Sequence, residues 1–344
     1  MSPPALPIPH AAPGILPSQS IRALIDAGAV SGATPFAPDQ VQPASLDLRL
    51  GARCWRVRAS FLPGRQRTVS ERIKDVAMHQ LDLAAGAVLE RGCVYIVELQ
   101  ERLALPAGIA ARANPKSSTG RVDVFVRLLT DHGAAFDDVA AGYAGPLYVE
   151  IAPQTFSVLV RAGTRLNQLR LKVGEPPRLN VRDVGVDLTG VLAGFRARRH
   201  AGVVDLDLED GHDPRDFWQP LEPRRGELLL DPGEFYILAS KEPIDIPVMQ
   251  AAEMTPIDPA VGEFRVHYAG FFDPGFGAEE AAASGSRAVL EVRSHETPFL
   301  LEDGQTVARL VYEPLTARPD RVYGEGGSHY QRQGLKLSKH FKPW

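Results

Sequence analysis

Three observations predict a mainly β protein built from two tandem copies of one sandwich- or barrel-like domain, with only short helices. The chain has 344 residues, room for roughly two domains of about 150 residues each. Its 31 Gly and 29 Pro favour many turns and short strands over long helices. An internal repeat also runs along it: Leu89, Gly92, Tyr95 and Ile96 in LERGCVYIV recur as Leu230, Gly233, Tyr236 and Ile237 in LDPGEFYIL, an offset of 141 residues.

In chain order, a proline-rich leader (1–15) precedes a short helix. Ser18 is expected to cap it, Ile21, Ala23, Leu24 and Ile25 to carry it, and Gly28 to end it. Strands are then expected at 45–51, 88–100, 122–129, 147–153, 156–163 and 167–173, apolar runs separated by Gly and Pro. The same offset carries Pro106 to Pro247, Pro115 to Pro256, Glu150 to Glu291, Gly163 to Gly304 and Leu169 to Leu310. Holding one offset over such a length divides the chain into a first repeat (16–178), a linker (179–195) and a second repeat (196–344). The offset slips within 130–145 and 271–286, so a loop there differs in length between the copies.

Composition narrows the function. With 38 basic against 42 acidic residues, net −4, the chain has no overall basic field for a nucleic-acid backbone. No apolar run of 18 residues exists to span a membrane, and the first twenty residues lack the basic start and apolar stretch of a signal peptide. Cys54 and Cys93 are too few for a disulfide framework, which fits a reducing cytoplasm. Zinc-ligand, P-loop and serine-hydrolase signatures are absent from the sequence.

Three segments have the residue types for chemistry. PKSSTGR (115–121) concentrates a cation, hydroxyls, a glycine and an arginine, donors that could hold phosphate oxygens or a water, although the same residues make ordinary turns. In the second repeat its place is taken by IDPAVG (257–262). Glu150 and Glu291 interrupt apolar strands at equivalent positions. Each reads either as the solvent-facing residue of an alternating strand or as a partly desolvated general base. HYAGFFDPGFG (267–277) reads as a hairpin with packed Phe residues or one that reads a base edge.

Taken in series, SLDLRLG (45–51), PKSSTGR, RLNQLRL (165–171), HYAGFFDPGFG, AVLEVRS (288–294) and SHYQRQG (328–334) resemble the motifs of dCTP deaminases, in a tandem-repeat form. These belong to the trimeric dUTPase-like superfamily. The resemblance implies two dUTPase-like β domains and a zinc-free hydrolysis of dCTP to dUTP and ammonia, supplying dUTP for thymidylate synthesis. It gives Glu291 or Glu150 the role of general base, and Ser117 and Arg121 that of positioning the water and stabilising charge. Lys116, Ser118, Gln168, Tyr330, Gln331 and Gln333 would hold the triphosphate, with Mg²⁺ bridging its oxygens. Tyr268, Ala269, Phe272 and Asp273 would form the base and sugar hairpin. His329 departs from the usual lysine of the family tail. Phe136 and Asp137 are expected to stand in the first copy where Phe272 and Asp273 stand in the second. The resemblance also implies a homo-oligomer and a dTTP feedback inhibitor. The rival readings are a dUTPase, a bifunctional deaminase-dUTPase and a non-catalytic nucleotide sensor.

Because the second copy has lost the Ser/Arg motif and keeps the clear hairpin, one composite site is expected, with Ser117 and Arg121 from the first copy facing Tyr268, Ala269, Asp273 and Glu291 from the second. The glycine-rich tail (323–344) is expected to close over the triphosphate, and its removal to leave the fold intact.

Overall fold

In the computed structural model, residues 12–257, 264–267, 270–277, 286–294, 296–325, 330 and 333–344 are described. The fold is mainly β, as expected. Gly14–Ile15, at the end of the expected leader, pairs with residues 172–173. The first helix spans Ser18–Asp26 with Pro17 at its N-cap position and no side-chain cap. Ser18 is therefore inside the helix rather than capping it, and its hydroxyl is spent on Asp320. Gly28 does end the helix, at φ +74°, a left-handed conformation that costs glycine little.

The first repeat is organised around one sheet. Its strands run Val124–Thr130, Ala144–Pro153, Val94–Ala104, Leu46–Val57, Arg165–Val173, Ile109–Pro115 and Asp138–Val139 in spatial order. The second repeat divides the same plan into two larger sheets, beside the paired strands Glu227–Leu230 and Phe299–Glu302. One holds Asn180–Gly185, Thr306–Pro314, Gln250–Pro256 and Phe271–Phe272, and the other Trp218–Leu221, Gly194–Ala197, Phe235–Ile244, Ser286–Ser294 and Phe264–His267.

Hydrogen bonds repeat at the sequence offset. Tyr95 Oη accepts from the Glu90 N–H at 3.1 Å, and Tyr236 Oη accepts from the Asp231 N–H at 2.7 Å. Gly92 and Gly233, at φ +75° and +71°, donate to the carbonyls of Pro153 and Ser294. Ile96 stands opposite Glu150, and Ile237 opposite Glu291.

Strand register corrects one boundary and one residue match. Asp183 stands opposite Arg309 as Asp47 stands opposite Gln168. Residues 180–185, expected in a linker, are thus the second repeat's counterpart of the SLDLRLG strand, disguised because the offset there is 136. In the variable loop, the Tyr143 N–H bonds to the Ala140 carbonyl as the Phe276 N–H does to that of Asp273, both at 3.1 Å. Gly142 and Gly275 both take positive φ. The counterpart of Asp273 is therefore Ala140, and the expected match with Asp137 fails because the ladder on Ala111–Arg112 fixes the register.

The HYAGFFDPGFG segment is also not a simple hairpin among the described residues. Phe264–His267 pairs with 291–294, whereas Phe271–Phe272 crosses to the other sheet and pairs with Ala252–Glu253. The Asp273-Pro274-Gly275-Phe276 turn that follows has Gly275 at φ +89°, which suits a Pro-Gly turn.

The apolar core of the first repeat continues into the second through Phe195, Phe217, Trp218, Phe235 and Val289, and takes in Leu337 and Phe341 from the C-terminal segment. A separate core lies between the two sheets of the second repeat. Among the described residues no helix is long and apolar enough to cross a membrane.

Candidate active site between the repeats

PKSSTGR folds into a single helical turn, Ser117–Gly120, entered from the strand Ile109–Pro115. The tight turn brings Ser117 Oγ within 3.1 Å of the Arg121 Nε, which donates to it. Arg121 is only 2 % exposed. Each of its terminal nitrogens donates once, to the Lys336 carbonyl and to Gln333 Oε1, both at 3.0 Å, and Tyr330 covers its face at 3.9 Å. A guanidinium buried this deeply is held in one orientation by acceptors from both repeats.

Glu291 projects from the middle of Ser286–Ser294 into the same cavity, a space of about 430 Å³ that Ser117, Arg121, Phe272, Asp273, Tyr330 and Gln333 also line. Burial pushes its carboxyl up to about 8, against the pull of Arg121 toward the ionised form. A carboxyl poised there can take a proton from water near neutral pH and return it. The structure thus brings Ser117 and Arg121 of the first repeat to Glu291 and Asp273 of the second.

One rim of the cavity is cationic. Lys116 pairs with the buried Asp47, and Arg165 donates to both carboxylate oxygens of Asp39 at 2.9 and 3.1 Å while lying 3.7 Å from Asp47. The Arg165 hydrogen bonds hold the Asp39 carboxyl below its usual range. Gln168 is close by, its Oε1 accepting from Ser45 at 3.3 Å. Ser118 also lines the cavity, and its carbonyl receives the Ser338 hydroxyl at 2.8 Å. Phe272 packs edge-on against Phe276 at 5.1 Å. Asp273 is buried, which raises its pKa, and accepts from Arg170 at 3.4 Å. Tyr268, Ala269, Gln331 and His329 lie outside the described residues.

Glu150 is elsewhere. Its Oε1 accepts from the Nε and a terminal nitrogen of Arg127 at 3.1 and 2.5 Å, and the Arg127 guanidinium lies 3.6 Å from the Phe136 ring centre. Glu150 does not line the cavity. Its cross-strand neighbour is Arg127, whereas Glu291 stands opposite His267.

Asp47, Arg165 and His340 were not singled out in the sequence, yet all line the cavity. The first two stand in SLDLRLG and RLNQLRL, so their motifs were visible even though their roles were not. Burial pushes His340 down to about 4, and its Nδ1 lies 3.0 Å from the Leu208 carbonyl.

Comparison with known proteins places this geometry in context. Family models described as the 2'-deoxycytidine 5'-triphosphate deaminase N-terminal and C-terminal domains match residues 12–175 and 178–341. A crystal structure of 2'-deoxycytidine 5'-triphosphate deaminase from Agrobacterium tumefaciens is similar with TM-score 0.85 and 52 % identity, over 88 % of this chain and 99 % of that one. A "dCTP deaminase, dUMP-forming" from Corynebacterium kroppenstedtii is 34 % identical over 146 residues, 40 % of this chain and 70 % of the relative. A protein of the same description from Thermobifida fusca is 30 % identical over 159 residues, 45 % of this chain and 76 % of the relative.

Proposed function

The chain belongs to the dCTP deaminase family, and from that premise we propose that it hydrolyses the 4-amino group of dCTP at the inter-repeat cavity, with Glu291 as general base. The observation that carries this reading is the meeting of Arg121 and Glu291, from different repeats, in one buried space. Glu291 takes a proton from a water held near Ser117 and Arg121, and the hydroxide adds to C4 of cytosine. The C4=N3 electron pair moves to N3 on addition; as the bond from C4 to the amino nitrogen breaks, Glu291 returns its proton to that nitrogen and the added hydroxyl's proton passes to N3, so ammonia leaves and the base becomes uracil. Arg121 and Ser117, fixed beforehand, stabilise charge without reorganising during the reaction. Glu150, sealed against Arg127, serves as a structural residue.

The Lys116, Arg165 and Gln168 rim is the natural seat for the triphosphate, since cations and amides there can exchange their present partners for phosphate oxygens. Among the described residues no group of three or more His, Cys, Asp or Glu side chains converges to hold a metal. The substrate is read as the magnesium complex of dCTP, because Mg²⁺ is held mainly through phosphate oxygens and its own waters. A pyrimidine triphosphate such as dTTP would compete for the same rim.

The fate of the product distinguishes two readings. The first is release of dUTP. The second, cleavage onward to dUMP, is favoured by the Corynebacterium and Thermobifida relatives, which are dUMP-forming dCTP deaminases. Against it, Asp273, the hairpin carboxylate that could activate a second water, is buried and engaged by Arg170. The deciding measurement is ammonia and pyrophosphate released from dCTP, with dUTP tested separately. Ammonia alone supports dUTP as product, ammonia with pyrophosphate supports dUMP, and binding without release of either supports a nucleotide sensor.

A further inference from the structure

The two repeats meet through faces that are chemically opposite at equivalent positions. Strand register makes Arg112 the counterpart of Glu253, Lys172 that of Glu313, and Arg170 that of Val311. Asp273, as shown above, corresponds to Ala140. Every cation of this set belongs to the first repeat and every carboxylate to the second.

Each face is unfavourable by itself. Arg112 and Arg170 stand directly opposite each other on adjacent strands, and Glu253 and Glu313 are diagonal neighbours, arrangements in which like charges repel. Contact between unlike repeats relieves both. Arg112 reaches Glu253 at 3.2 Å. Burial raises the pKa of the Glu313 carboxyl and Glu253 adds to this, while Arg170, Lys172 and Arg112 draw it back toward the charged form; Lys172 also pairs with Glu175 within its own repeat.

Arg170 is the centre of the contact. It is 2 % exposed and donates across the boundary to the carbonyls of Ala252 at 3.1 Å and Phe272 at 3.3 Å, and to Asp273 at 3.4 Å, while stacking on Phe271 at 4.0 Å. In a contact between two first repeats this guanidinium would meet Ala140 in place of Asp273. In a contact between two second repeats Asp273 would meet Val311. Either arrangement buries a charge without its partner, which is far more costly than losing an exposed ion pair.

We propose that this polarised face is a recognition surface through which a first repeat accepts only a second repeat, so that the composite cavity assembles from unlike copies. The inverted charges exclude the like pairings that two copies of one ancestral domain would otherwise share equally. The proposal concerns assembly and stands whatever nucleotide the cavity takes.

The test uses the full chain and urea unfolding followed by circular dichroism. Arg112→Glu with Lys172→Glu should lower the midpoint by roughly 0.5 M urea, with a smaller loss in about 1 M salt, where exposed charges are screened. Adding Glu253→Arg and Glu313→Lys should recover most of the loss. In a separate cycle, Arg170→Val and Asp273→Asn should each lower the midpoint, and the double variant should lose less than their sum. A parental midpoint after the two-residue reversal, a four-residue variant no better than the reversal, or an additive Arg170/Asp273 cycle would each overturn the proposal.

Discussion

The ring of Tyr330 lies 3.9 Å from the guanidinium of Arg121, and Gln333, three residues on, accepts one of that group's hydrogen bonds at 3.0 Å. The C-terminal segment thus reaches the cavity wall and holds Arg121, and Gln333 also ties that contact to the Glu291 strand through its amide on the Arg287 carbonyl at 3.1 Å. Tyr330→Leu and Gln333→Ala should loosen Arg121 without disturbing either core. Each is expected to lower kcat for dCTP deamination about tenfold, the scale of one cation–π contact or one charged hydrogen bond. Steady-state rates beside thermal unfolding curves check this, and unchanged rates would show that Arg121 needs no support from the tail.

Two glutamates at equivalent positions should behave differently. Glu291→Gln removes the proton acceptor and should reduce kcat by at least ~10²-fold, with dCTP binding retained. Glu150→Gln leaves turnover nearly intact but replaces the ion pair with the partly exposed Arg127 by a neutral hydrogen bond, costing about 1–3 kcal/mol of stability. Turnover and denaturant titrations on both variants provide the comparison. The opposite ranking in turnover would move the chemistry to the first repeat.

Because Glu291 is held up to about 8 by burial, its protonation couples activity and stability in opposite directions. The unfolded chain loses this proton near the ordinary glutamate value of 4.5, so between there and about 8 the folded state binds more protons than the unfolded one, and stability falls as pH rises. Glu291→Gln should therefore match the parent's stability near pH 4 and exceed it increasingly toward pH 8. In the parent, kcat/KM should rise over the same range as the free base is populated. Thermal unfolding of both proteins across this range, with parental pH–rate profiles, tests the sign. A variant advantage that shrinks with rising pH contradicts it.

The repeat was legible in the sequence because it rests on residues with local duties, such as the paired Tyr95 and Tyr236 hydroxyls and the positive-φ Gly92 and Gly233. The composite nature of the cavity was legible too, from the replacement of PKSSTGR in the second copy. Loop alignment was not: Phe136-Asp137 looks like Phe272-Asp273, but the pairing of Asp138–Val139 with Ala111–Arg112 sets the register, and Ala140 carries no chemical signal. The helix Val69–Val76 was missed although Thr68 and Glu71 form a capping box, a signature present in TVSE. Arg170 reads as an ordinary strand residue, because only the tertiary meeting of the repeats shows where its guanidinium goes.

The expectation that the tail can be removed without harm to the fold is corrected by its last residues. Leu337 and Phe341 are 6 % and 3 % exposed and belong to the first core. Phe341 packs within 5.3 Å of the Phe217 ring centre and 5.8 Å of that of Trp218. The backbone beyond Ser338 is anchored as well, with the carbonyl of His340 accepting from Gly211 and His212, and the Lys342 N–H donating to His212. The contact of Tyr330 with Arg121 and the anchoring of Phe341 in the core thus lie in separate parts of one segment. Phe341→Ala should cost about 3–5 kcal/mol, as expected for emptying a buried aromatic site, and deleting residues 335–344 should cost more, since it also strips the anchoring hydrogen bonds. Tyr330→Leu, by contrast, should affect turnover more than stability. Urea midpoints of the three variants against the parent separate the two functions. A truncated chain with the parental midpoint would show that Leu337 and Phe341 add nothing to the core in which they are buried.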